Sequence, residues 1–135
     1  MRIGIHDLMD GGIASNTPIH AAVDAGAGRV IVLPTGFTCA APHPPHGVLA
    51  IALHALNLLI AHQLVRDVAW AASRTEVFVV PSLCPLDVSS YDFTRTAELM
   101  GRARESTGAW LDGGGLTRPG LSAGLIPHDH REAAS

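Results

Sequence analysis

The chain has 135 residues, 47% of them hydrophobic, which fits one domain and suffices to bury about two-thirds of its unfolded surface if it folds alone. Nine Lys and Arg against twelve Asp and Glu leave a net charge of -3, with no basic run and few aromatics, which argues against nucleic acid as a partner. Cys39 and Cys84 stand 45 residues apart without a CxxC spacing, so they read as buried thiols of a reducing cytoplasm rather than a disulfide or zinc site.

The opening MRIGIHDLMDGG lacks the basic stretch and long apolar core of a signal peptide, so no export signal is expected in it. Residues 2–9 read as a short, imperfect strand running into the turn Asp10-Gly11-Gly12. Thr17 is placed as an N-cap and Pro18 as the first helical residue, where its missing N–H is no loss. The helix over 18–25 stops at Gly26. Arg29-Val30-Ile31-Val32-Leu33, closed by Pro34, is the β-branched run of a buried strand in a parallel sheet. Residues 34–46 are rich in Pro and form a loop.

The longest helix is expected over about residues 47–73. Its first part, GVLAIALHALNLLIAHQLV at 47–65, carries no formal charge, and a helix apolar all round is a buried one. The stretch approaches the length of a bilayer span, but His54, Asn57, His62 and Gln63 weigh against insertion because each needs a polar partner. The expectation is a buried helix of a soluble α/β domain, with a membrane-surface or dimer-contact role as the alternative. Residues 75–80 are a second buried strand, closed by Pro81. Ser89 and Asp92 have capping-box spacing, and a helix over about 90–111 keeps Phe93, Ala97, Met100, Ala103, Thr107 and Leu111 on one stripe. The order β-α-β-α-β-α predicts an α/β fold with a parallel sheet covered on both faces. Residues 113–135, Gly- and Pro-rich and ending HDHREAAS, read as a mobile tail.

In an open parallel sheet, functional groups collect at the carboxyl ends of strands. Asp10 falls at such a point, where a carboxylate can accept a proton from a serine or orient a histidine, and the glycines after it allow close approach. Taken alone, Asp-Gly-Gly reads as a turn. The context changes that reading. DGGIASNTPIHAAVDAGAGRVIVLPTG, residues 10–36, resembles the C-terminal part of a patatin-like phospholipase domain in its Asp-Gly-Gly box, its Asn-x-Pro helix start at Asn16 and Pro18, and the following helix and strand. The long apolar helix, TEVFVVP and YDFTRTAELMGRARESTGAWL are similar to a bacterial branch of that family, so the resemblance covers about residues 8–112.

The resemblance implies the C-terminal part of a three-layer α/β/α fold, with about three mostly parallel strands and three helices over residues 1–112. It implies a lipid acyl hydrolase with a Ser-Asp dyad. In the family a glycine-rich GxGxxG-type loop stabilises the oxyanion, a serine sits in a GxSxG elbow, and the Asp of the box accepts the serine proton. Asp10 matches that acceptor, with Gly11, Gly12, Asn16 and Pro18 as its supporting motif; neither of the other two parts precedes it. The expected substrate is a lipid or other acyl ester, with no cofactor and no metal. The expected location is cytoplasmic, with a peripheral position at the membrane as the alternative. The alternative is a non-catalytic remnant that associates with itself or with a separately encoded N-terminal half.

Gly120-Leu121-Ser122-Ala123-Gly124 fits GxSxG by letter, but an elbow needs a strand entering and a helix leaving, and no strand is readable in GGGLTRP before it. Ser122 is therefore not expected to be the nucleophile. Asp112-Gly113-Gly114-Gly115 follows a long helix and reads as a helix end. His128 and His130 form an HxH, His43 and His46 lie in the Pro-rich loop, and His54 and His62 are eight apart on a helix; none has the further ligands a zinc site needs. His6, four residues before Asp10, reads as a surface or loop residue.

Overall fold

The computed structural model describes residues 1–7, 11–13, 15–34, 46–84, 86, 92–122 and 125. Its N-terminus forms an antiparallel hairpin of two short strands, β1 (Arg2–Ile3) and β2 (His6–Asp7), exposed throughout. In place of the single strand expected over 2–9, residues 2–7 fold back on themselves at Gly4, at φ +63, and among the described residues no strand of the β3–β4 sheet pairs with them.

The entry to α1 (Ile19–Asp24) runs through a tight turn in which Ser15 Oγ and the Ile19 N–H both donate to the Thr17 carbonyl, at 3.0 and 2.8 Å. Pro18, not Thr17, is the N-cap residue, so the helix begins one residue later than expected, and Pro18 makes no side-chain cap bond. Gly26, at φ +84, ends the helix as its position predicts.

β3 (Arg29–Val32) and β4 (Glu76–Val79) pair in parallel, with Arg29 opposite Glu76 and Val32 opposite Val79. Both strands fall within a residue of the ends predicted by their β-branched runs and closing prolines. Val80 N–H adds a further bond to the Val32 carbonyl at 2.9 Å. Arg29 donates from Nε and Nη2 to one Glu76 oxygen at 3.0 and 2.9 Å, marking the amino edge of the pair. α2 (Val48–Ala71) makes the crossover between them. Period-2 alternation sends Val32, Val77 and Val79 into one core with Ile19 of α1 and Leu64, Val68 and Ala71 of α2, while Phe78 is buried on the opposite face with the Arg29 guanidinium 5.2 Å from its ring centre.

α2 is not the buried helix that its composition predicts. Only Leu64, Val68 and Ala71 are buried, and 6% of its most apolar 18-residue window lies inside the protein. The reason is length: 24 residues make a helix about 36 Å long, whereas four-residue strands run about 13 Å. The sheet can cover only the last turns.

α3 (Thr96–Asp112) starts six residues later than expected. Asp92 accepts from Thr94 Oγ1 (2.6 Å) and the Thr94 N–H (2.9 Å), closing a local turn before the helix begins; Ser89 lies outside the described residues. The predicted apolar stripe faces solvent, with Phe93 at 77% and Met100 at 68% exposure, so it covers no core here. The second glycine box ends α3 as predicted: Gly113 N–H donates to Ala109, and Gly114 adopts φ +79.

The segment after α3, expected to stay outside the core, enters it. Gly115 is buried beneath Trp110, where a Cβ would collide with the indole ring. Gly120 then forms a parallel bridge to Phe78, donating to the Val77 carbonyl at 2.7 Å and accepting from Val79 N–H at 3.3 Å. Leu125 joins the core cluster and Leu121 packs against it. The third parallel position of the sheet is thus taken from the C-terminal side, not by residues 2–9.

Phe78→Ala is expected to lower unfolding stability in urea by about 3–5 kcal/mol, while Met100→Ser stays within about 0.5 kcal/mol of the parent; equal effects would show that the sheet is not the core. At the start of α3, the Arg95 hydrogen bond holds Glu98 below the ordinary carboxylate value, and the Thr94 hydroxyl and then its N–H do the same for Asp92. A depressed folded-state value stabilises above the unfolded one and is lost as pH falls through the folded one. Amide-exchange protection in the first turn of α3 should therefore fall below about pH 4, and protection unchanged from pH 6 to 3 would remove these caps from the account.

Candidate functional site

Asp10 lies outside the described residues. The chain resumes at a 3-10 turn over Gly11–Ile13, in which Gly11 is exposed and Gly12 half-buried, and the Gly11 carbonyl accepts from Ser15 N–H at 2.9 Å. Asn16 and Pro18 are exposed, on the approach to α1. The box therefore leads through one short turn into a helix whose first residue, Ile19, is in the core.

The structure brings together a cluster that sequence spacing did not single out. His20 Nε2 and Asp67 Oδ1 are 3.1 Å apart, His20 stacks on Trp70 with ring centres 3.8 Å apart, and the Arg74 guanidinium lies 4.2 Å from the other ring partner, Trp70. Arg74 also donates to the Trp70 carbonyl at 2.7 Å. Asp67, Trp70 and Arg74 follow helical spacing on one side of α2 and its exit, but His20 is 47 residues from Asp67 and only the packing of α1 on α2 joins them. The cluster joins α1 to the buried end of α2.

Ser122 is 8% exposed and, among the described residues, its Oγ has no hydrogen-bond partner. The Gly120 bridge supplies the strand-like entry that was not readable in the sequence, yet an activated serine is hydrogen-bonded to a base and open to substrate. Ser122 is neither. It is a hydroxyl left over in a core turn, where its carbonyl accepts from Leu125 N–H at 3.1 Å.

Of the histidines, His6, His46 and His62 are exposed and His54 is half-buried on α2, while 43, 128 and 130 lie outside the described residues. Among the described residues no three His, Cys, Asp or Glu side chains converge as metal ligands would. At the carboxyl end of β4 an open cavity of about 460 Å³ lies between residues 81–84 and the Arg102, Glu105 and Ser106 side of α3.

Cys84, on the wall of that cavity, is disulfide-bonded, which corrects the expectation of free thiols. The one other cysteine in the sequence is Cys39, outside the described residues.

Comparison with known proteins finds no similarity: no family model, no curated protein and no solved structure matches this chain.

Because the buried Ser122 hydroxyl satisfies no partner, Ser122→Ala should leave the unfolding midpoint unchanged or raise it. A loss above about 1 kcal/mol would mean that the hydroxyl makes a bond that stabilises the fold.

Proposed function

We propose that this chain is the aspartate-bearing part of a patatin-like lipid acyl hydrolase. The observation that carries the reading is the Asp10-Gly11-Gly12 box followed by the Asn16-x-Pro18 helix start, in a segment where turn, helix and parallel strand follow in the order that the resemblance implies. The three-layer α/β/α arrangement belongs to the same proposal, with residues 1–112 as its C-terminal portion.

In that reaction a serine Oγ attacks the carbonyl carbon of an acyl ester, and the Asp10 carboxylate takes the hydroxyl proton. The tetrahedral oxyanion collapses, the C–O bond to the alcohol breaks, and the proton passes to the leaving alkoxide. Water then attacks the acyl-serine, again losing its proton to Asp10, and the carboxylic acid leaves as serine is reprotonated. Within these 135 residues the GxSxG match is Gly120–Gly124, whose buried serine suits none of these steps. The nucleophile must come from another polypeptide segment.

A second reading, a non-catalytic module that associates through its apolar surface, is favoured by one specific observation: Phe93, Met100 and the outer side of α2 are exposed together.

The 135-residue protein is expected to turn over a short-chain nitrophenyl ester at background rate and to leave a fluorophosphonate probe unreacted. Stoichiometric labelling lost in Ser122→Ala would overturn the assignment. When the chain is joined to a serine-bearing segment that restores turnover, Asp10→Asn should abolish hydrolysis with folding unchanged; retained turnover would remove Asp10 from the mechanism.

A further inference from the structure

The apolar residues of α2 are arranged inside out. At about 100° per residue, Ala50, Leu53, His54, Asn57, Ile60, Ala61, Leu64 and Val68 fall on one side, and all of them are half-buried or buried, as Gln63, Val65, Asp67, Trp70 and Ala71 also are in the last turns. The polar His54 and Asn57 thus face the body of the protein. The opposite side carries Val48, Leu49, Ile51, Leu56, Leu58 and Leu59, exposed by 87, 73, 54, 51, 48 and 67%. From residue 48 to 59 this outward side contains no polar side chain; His62 and Arg66 then follow on it. The helix holds one carboxylate, Asp67, and that one is turned inward to His20.

We infer that the outward side of α2 docks on the surface of an anionic lipid bilayer, with the helix lying in the plane of the membrane. Width decides between a bilayer and a second copy of the chain. A helix packed along the seam Val48, Ala52, Ala55 and Leu59 would still leave Leu49 and Leu56 on one flank and Ile51 and Leu58 on the other, roughly 60–100° away, in water. A continuous apolar medium covers seam and flanks together. Charge selects the lipid: the outward side bears Arg66 and His62 and no acid, which complements anionic headgroups at the helix's C-terminal end.

Topology selects the orientation. β3 and β4 are paired in parallel, so a spanning α2 would carry Gly47 to the far side and oblige residues 34–46, with prolines at 34, 42, 44 and 45, to recross the hydrocarbon without a helix's internal hydrogen bonds. Lying flat, α2 keeps its last turns on the sheet. Its overhang of about 20 Å extends past the carboxyl ends of β3 and β4, so docking would bring that edge to the lipid. Bilayer docking requires nothing of Asp10 or of a nucleophile, and it stands or falls apart from hydrolysis.

The test is co-sedimentation of the 135-residue protein with sucrose-loaded vesicles of phosphatidylcholine alone or mixed with phosphatidylglycerol. Binding is expected to rise with the phosphatidylglycerol fraction. It should weaken about tenfold or more in Leu56→Glu/Leu59→Glu, whose positions are exposed and whose circular dichroism should match the parent. Arg66→Gln should blunt the response to phosphatidylglycerol. Met100→Glu, on the exposed stripe of α3, should bind as the parent does. Failure to sediment with either vesicle overturns the inference, as does equal loss of binding in Met100→Glu. A dimer in analytical ultracentrifugation that Leu56→Glu/Leu59→Glu dissociates, without vesicle binding by the parent, would assign the surface to a second copy.

Discussion

Parallel pairing of β3 with β4 is the constraint on which the rest of the structure depends. A parallel pair cannot be closed by a tight turn, so the chain must travel from the carboxyl end of one strand to the amino end of the other, and α2 is that return path. The register sets which valines face α1 and α2, seats Ile19 in their core, and leaves Phe78 to be covered from the other side. It also lays down an edge for Gly120. The His20–Asp67 contact and the buried position of Ser122 follow from that placement.

The same constraint accounts for the exposure of α2. A crossover helix is covered over the length of the strands it connects, and these strands are short. What exceeds them has no protein beneath its outer side, however apolar it is. Composition therefore misjudged the helix in a definite way: it measures how much burial a segment would gain, not whether a surface exists to bury it. The stripe of Phe93, Met100 and Leu111 on α3 carries the same lesson, since its spacing was read correctly and its covering was not.

For the candidate site, the legible part was chemical and local. The Asp10-Gly11-Gly12 box, the Pro18 entry and the Gly26 stop are properties of a dozen adjacent residues, and the turn, helix and strand that follow stand where these signals put them. His20, Asp67, Trp70 and Arg74 were not legible as a group, because nothing in a single residue announces a partner 47 positions away. Ser122 shows the converse. Its motif was legible by letter, and burial without a hydrogen-bond partner is what separates it from an elbow serine.

By itself the sequence determined where β3 and β4 lie, that a long apolar helix joins them, and where α1 and α3 end, because β-branched runs, prolines and glycines act on their own backbone and immediate neighbours. Tertiary structure alone decided that residues 2–7 form a hairpin instead of a sheet strand, that Gly120 takes the third parallel position, that Cys84 is bonded, and that α2 turns its polar side inward. Each of those outcomes is a competition between distant segments for the same edge or face, and which segment wins depends on how the paired strands align.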